Sequence, residues 1–239
     1  LGQAPAAHHK LICSAIQEIV DGPPGGRLMI FAPPGSAKTM YTSRLAPPWI
    51  MQRRKGWSII GASHGAMFAE ENSGYALDYI REYGDFLGVK LISENVQRWR
   101  TKAELNEKRQ RIGKPGDYLA AGVDAGIAGF RADLAIIDDP IKSRKHADSV
   151  TYRNSVWKWF NGDLARRLKP EGRIILMHTR WHMDDLAGRL LKRDGHKWKI
   201  LNLPALATSI NDPLGRKLDE PLWLGDAYGY GEGLKIIRD

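Results

Sequence analysis

The chain is short of several things. Among 239 residues there is a single cysteine, Cys13, so no internal disulfide exists and a reducing compartment fits. Cys13 lies in an apolar run and is expected in the core. No stretch approaches the roughly 20 apolar residues of a membrane span. The start shows no charged leader followed by an apolar run, so no secretion signal is visible. It begins with Leu, which suggests a trimmed piece. No internal repeat is present. Acidic residues are outnumbered, 27 against 36 Lys and Arg, for a net charge of +9. The imbalance is local: residues 151–200 hold 12 basic and 5 acidic residues, whereas 201–239 hold 4 and 6. That is the distribution of a polyanion-facing surface, although a solvated helix face has the same composition.

With 43% apolar residues, the length fits one α/β domain. Helical spacing of Leu11, Ile12, Ala15, Ile16 and Ile19 predicts a helix over 8–20. Apolar runs predict strands at 27–32, 57–62, 89–92, 118–121, 134–137, 173–178 and 198–203, with a further small strand within 122–130. Helices are expected at 38–50 (interrupted by Pro47-Pro48), 66–83, 149–168 and 184–191, with Asp184 capping the last. Nearly all-apolar strands alternating with helices imply a mainly parallel sheet covered by helices on both faces. Residues 1–206 form this domain. Residues 207–239, rich in Gly, Pro and Asp, read as a linker or lid.

The most informative segment is Phe31-Ala-Pro-Pro-Gly-Ser-Ala-Lys-Thr39. Strand, small-residue loop, Lys-Thr and helix together wrap a phosphate chain. The usual frame is Gly, four residues, Gly-Lys-Ser/Thr; here Ala32 and Ala37 replace both glycines. The physical requirements remain. Pro34 leads into amides of Gly35, Ser36, Ala37, Lys38 and Thr39, which form an anion nest at a helix start. Lys38 reaches the β- and γ-phosphates, and Thr39 Oγ1 suits Mg²⁺. Alanine fits where no positive φ is needed, which leaves Gly35 to take any strained position. A Pro-Pro-Gly turn ahead of a helix cap is the plain alternative.

A second segment, Leu134-Ala-Ile-Ile-Asp138-Asp139, ends an apolar strand in two carboxylates. Asp138 stands where a Mg²⁺-holding aspartate belongs, and Asp139 where a group orienting the attacking water belongs. Two adjacent carboxylates repel unless a cation is near. The strand 174–178 runs into Thr179-Arg-Trp-His182 and is expected beside the Asp138 strand. There His178 or Thr179 is placed to sense the γ-phosphate. His182 with Asp184 and Asp185 lacks further ligands in a metal pattern. Candidates for an arginine offsetting transition-state charge from a neighbouring copy are Arg98, Arg100, Arg109, Arg111 and Arg131, the last nearest in sequence to the carboxylate strand. Gln17 and the N-terminal aromatic side chains are adenine-contact candidates. DNA-contact candidates are Lys142, Arg144 and Lys145, and Arg166, Arg167, Lys169 and Arg173.

Taken as a set, 32–39, 61–64, 120–123, 131–142, 166–170, 179–190 and 212–216 resemble the ATPase domain of the large terminase subunit of tailed bacteriophages and prophages. The resemblance implies a P-loop NTPase of the ASCE, RecA-like kind that uses ATP and Mg²⁺ to drive double-stranded DNA into a procapsid. It implies Lys38 and Thr39 as the phosphate-loop pair, Asp138 as the Mg²⁺ aspartate, Asp139 at the catalytic acidic position and Thr179 in the coupling motif. Phe130 stands where relatives carry a basic residue. Implied partners are DNA, the portal protein, the small terminase subunit and further copies of the chain in a pentamer, with a monomer in isolation and no membrane. The implied location is the cytoplasm of the infected or lysogenic bacterial host, and transiently the procapsid vertex. Relatives continue into a nuclease domain, which this length does not accommodate. A helicase-like remodelling ATPase, or a scaffold that binds nucleotide without turnover, remain the other readings of the same motifs.

Overall fold

The computed structural model describes residues 4–223 except 109, 111 and 124. Arg109, Arg111 and residues 224–239 of the expected linker lie outside the described residues.

Helix α1 (Ala7–Asp21) buries the Ile12, Ile16 and Ile19 face and leads to β1 (Arg27–Phe31). The loop 32–37 follows. A wide π-turn segment (Met40–Leu45) then runs into α2 (Ala46–Arg53). Pro47 and Pro48 therefore do not interrupt a helix. They occupy its first turn, where their missing amides cost nothing, and the winding widens ahead of them. Next come β2 (Ser58–Ser63), α3 (Ala66–Leu87, ended by Gly88 at φ 64°), β3 (Leu91–Asn95), β4 (Arg98–Thr101), β5 (Asp117–Gly122) and β6 (Ala132–Asp138). The short α4 (Arg144–Asp148) and α5 (Val150–Trp159) precede β7 (Leu168–His178), α6 (Leu186–Asp194) and β8 (Lys199–Asn202).

The strands form one eight-stranded sheet in the order β3-β4-β5-β2-β6-β7-β1-β8. It is parallel from β5 to β8, and antiparallel only where β4 joins β3 and β5. Helices α1 to α3 cover one face around Ile12, Ile50, Leu77 and Tyr118. Helices α5 and α6 cover the other around Trp159, Phe160, Leu164 and Leu190. The strand carrying Asp138 pairs with the strand carrying His178, with Asp138 opposite Met177. β7 in turn separates β6 from β1, so the loop after β1 and the aspartates after β6 flank the end of β7.

Several expectations change. The polar stretch 93–116 contains β4, whose alternation is anchored by Trp99: fully buried, stacked on Tyr118 at 4.8 Å, its indole N–H donating to Ser73 Oγ at 3.0 Å. No strand lies within 123–130 among the described residues. The helix expected over 149–168 ends at Trp159 and continues as a π turn and a 3-10 turn to Arg167. Cys13 is exposed on the outer side of α1. Asp185, not Asp184, caps α6, accepting the Gly188 N–H at 2.8 Å. Ala207 and Leu222 are buried, so residues 207–223 lie partly against the core.

Candidate nucleotide site

Open parallel sheets bind ligands beyond the carboxyl ends of their strands. Here three such ends converge. β1 delivers the loop, β6 delivers Asp138 and Asp139, and β7 delivers His178 and Thr179.

In the loop, Gly35 has φ 75°, but Ala37 also lies in the left-handed region at φ 55°. The expectation that alanine sits only where no positive φ is required is overturned: the loop geometry imposes left-handed backbone on an alanine, at a cost of about 1–2 kcal/mol. The turn is tied by Ser36 Oγ donating to Pro33 O at 2.8 Å. The Ser36 carbonyl accepts from Nε2 of His8 at 3.3 Å and of His9 at 3.1 Å. These histidines, Trp223 and residues Gly35 to Thr39 line a cleft of about 280 Å³. His9 stacks on Tyr41 with ring centres 4.3 Å apart. Burial, with His9 beside it, lowers His8 to about 4, so it stands neutral at pH 7. Gln17 lies elsewhere, in a groove with Cys13, Tyr41 and Trp49.

Asp138 is buried beneath the loop. Thr39 Oγ1 donates to its Oδ1 at 3.3 Å and Ser43 Oγ to its Oδ2 at 2.8 Å. Ser63 Oγ, from the end of β2, donates to its carbonyl at 2.9 Å. Burial, then the charge of Asp139, pushes Asp138 up to about 7 despite these hydroxyls and Lys38. A buried carboxylate with two hydroxyl oxygens beside it is a hard-oxygen donor set, and it fits Mg²⁺.

Asp139 adopts φ 41°. Its Oδ2 lies 3.2 Å from Lys38 Nζ. Thr179 donates to it twice, from the amide to Oδ1 at 2.5 Å and from Oγ1 to Oδ2 at 3.2 Å. Burial works to raise this carboxyl, but His178, Lys38 and the Thr179 amide outweigh it and hold it down at about 2.

Lys38, Thr39, Asp138, Asp139, His178 and Thr179 thus meet in one place. Ser43 and His64 join them without having been singled out. Ser43 lies one turn after Thr39 on the same helical face, the spacing that would have found it. Burial lowers His64, which sits by the Asp139 backbone and Lys142.

The basic candidates separate. Lys142, Arg144 and Lys145 follow Asp138 at the carboxyl end of β6. Arg131, Arg166, Arg167 and Lys169 lie at its other end, where Ala132 pairs with Leu168, about 20 Å away along the strand. Arg131 Nη1 donates to Arg166 O at 3.4 Å. Lys169 is engaged with Asp133 at 2.6 Å. Arg98 is gripped by Asp117 through two contacts, at 3.0 and 2.6 Å. Arg173 is no DNA contact: it is buried, donating to Ile19 O and Gly22 O at 2.9 Å each and lying 4.9 Å from the centre of the Trp57 ring.

Solved structures with this fold include the large terminase of bacteriophage HK97 (TM-score 0.56, 11% identity, covering 99% of this chain and 47% of that one). The large terminase of a thermophilic bacteriophage is also similar (TM-score 0.53, 12% identity, 84% and 46% covered). So is that protein in complex with ATP-gamma-S (TM-score 0.51, 12% identity, 82% and 44% covered). The chain spans less than half the length of these relatives. A comparison with curated proteins finds no match. The family model described as terminase large subunit, T4likevirus-type, N-terminal, matches residues 29–224. That is most of the sequence, and the chain belongs to this terminase large-subunit family.

Proposed function

We propose that this domain binds and hydrolyses ATP in a DNA-packaging motor. The observation that carries the reading is the convergence of a Lys38–Thr39 loop with two carboxylates and Thr179 at the ends of β1, β6 and β7. Placing β7 between the loop strand and the aspartate strand also favours the ASCE, RecA-like class of P-loop NTPases.

In this reading the amides from Gly35 to Thr39 cradle the phosphates and Lys38 neutralises them. Thr39 and Asp138 would hold Mg²⁺, which when bound offsets phosphate charge. Asp139, ionised and clamped by Thr179, orients the attacking water. Thr179 and His178 register whether the γ-phosphate is present. The rings of His8 and His9 and of Trp223 give the cleft an apolar wall suited to the base. Arg131 lies at the far end of β6 from Asp138, so an Arg131 that offsets transition-state charge comes from a neighbouring copy, as in a ring such as a pentamer. Double-stranded DNA, portal protein and small terminase subunit are the partners this assembly serves, in the cytoplasm of a bacterial host. Arg166 and Arg167 at one end of β6, and Lys142, Arg144 and Lys145 at the other, are the DNA-phosphate candidates.

The test is phosphate release from Mg·ATP by the assembled chain, with and without double-stranded DNA. Stimulation that fades as salt rises is expected; a rate indifferent to DNA contradicts the reading.

A further inference from the structure

His178 is fully buried, and neither of its ring nitrogens makes a hydrogen bond. Each nonetheless faces a carboxylate: Nδ1 is 3.6 Å from Asp139 Oδ1, and Nε2 is 3.4 Å from Asp185 Oδ2. Buried polar groups are nearly always satisfied. The ring lies close to two carboxylates and is bonded to neither, so a small shift would close it on one of them. Its two neighbours differ in freedom. Asp185 is fully buried and fixed from two sides, by the Gly188 amide at 2.8 Å and by Arg180 Nε at 2.8 Å. Asp139 is held by Thr179, but its cation, Lys38, is the same ammonium that a phosphate chain would claim. When Lys38 turns to phosphate, Asp139 keeps its two Thr179 donors and loses its counter-ion. The buried ring of His178 faces the other oxygen, Oδ1, and is the remaining neighbour able to take up the charge of the same carboxylate.

We propose that Asp185, acting through His178, is a positioning residue for Asp139: it fixes the imidazole so that the ring takes over from Lys38 as partner of the carboxylate when nucleotide binds. The proposal rests on the triphosphate reading of the site. Because the Asp185 carboxylate also caps α6, the hand-over ties occupancy of the site to the start of that helix. Asp184, the next residue back, joins it to α5 through Arg153 at 3.4 Å.

The experiment is ¹⁵N-histidine NMR of the full chain, with His178 assigned by the signals that vanish in His178→Gln. Lys38→Met without nucleotide removes the competing ammonium directly. Its His178 Nδ1 signal is expected to move to the hydrogen-bonded position that wild type reaches only with Mg²⁺ and ATPγS. A Lys38→Met spectrum with His178 unmoved from nucleotide-free wild type overturns the hand-over. This arm needs no nucleotide, so it decides the inference even where wild type fails to bind ATP, a result that would remove the nucleotide reading instead. The second arm is Asp185→Asn, which keeps an oxygen for the Gly188 amide and loses the charge. It should lower kcat by about 10- to 100-fold with the Kd for ATP unchanged; wild-type kcat overturns the role of Asp185. If Asp185→Asn does not fold, His178→Gln is read in the same way, with the same loss expected and the same wild-type rate as the contradiction.

Discussion

The Lys38 ammonium lies 3.2 Å from Asp139 Oδ2, so the cation proposed to hold a phosphate chain neutralises the carboxylate proposed to orient water. In the proposed mechanism this pair opens when Lys38 turns to phosphate. Lys38→Met should therefore weaken MANT-ATP binding by about 10- to 100-fold, the worth of a charge-assisted hydrogen bond. An affinity within twofold of wild type would place the phosphates elsewhere.

Ala37 carries a left-handed backbone that costs about 1–2 kcal/mol. Glycine relieves that strain but frees the unfolded chain by about 0.5–1 kcal/mol. Ala37→Gly should thus be neutral or stabilising by up to about 1.5 kcal/mol in urea unfolding. Ala76→Gly, in the middle of α3, should cost about 1 kcal/mol or more. Equal losses at both sites would contradict the strain assigned to Ala37.

The aspartates impose opposite pH dependences. Asp138 is raised to about 7, so the folded state binds a proton that the unfolded chain, at 3.8, releases. Its contribution is fully present below about pH 4 and is lost as pH rises to about 7. Asp139 is lowered to about 2; its contribution is present above about pH 4 and lost as pH falls toward 2. In EDTA, Asp138→Asn should raise the melting temperature at pH 8 and do little at pH 4. Thermal melts at both values check this, and a larger gain at pH 4 reverses the sign.

Arg173 and Arg166 were grouped by charge, yet one is buried and the other exposed. Arg173→Ala removes two hydrogen bonds to carbonyls and a stacked cation and should cost about 2–3 kcal/mol in denaturant unfolding, at unchanged DNA affinity. Arg166→Ala should leave stability within about 0.5 kcal/mol and reduce the salt slope of DNA binding by about 1. The reverse pattern would exchange their roles.

The sites most legible in the sequence were those whose geometry is local. Strand, small-residue loop and Lys-Thr fix where Lys38 and Thr39 point, and an apolar strand ending in Asp138 puts that carboxylate at a sheet end. Which strands become neighbours is not local, but the apolar run into Thr179 limited the choices. What escaped reading depended on contacts distant in sequence. β4 was hidden because its exposed positions are arginines and only Trp99 and Thr101 face inward. Arg173 read as surface charge because nothing in its own strand tells that Ile19 and Gly22 offer carbonyls. The positive φ of Ala37 was missed because composition rules favour glycine there, while the loop's closure overrides them. Asp185 was passed over for Asp184 because adjacent aspartates are equivalent caps until the helix register is known.

The most direct measurement is a crystal structure of the chain with Mg²⁺ and ATPγS. The account predicts phosphates on the amides from Gly35 to Thr39, magnesium between Thr39 and Asp138, and the Lys38 ammonium moved from Asp139 onto phosphate. Nucleotide bound away from this loop, or a Lys38–Asp139 pair still closed beside it, would contradict the account.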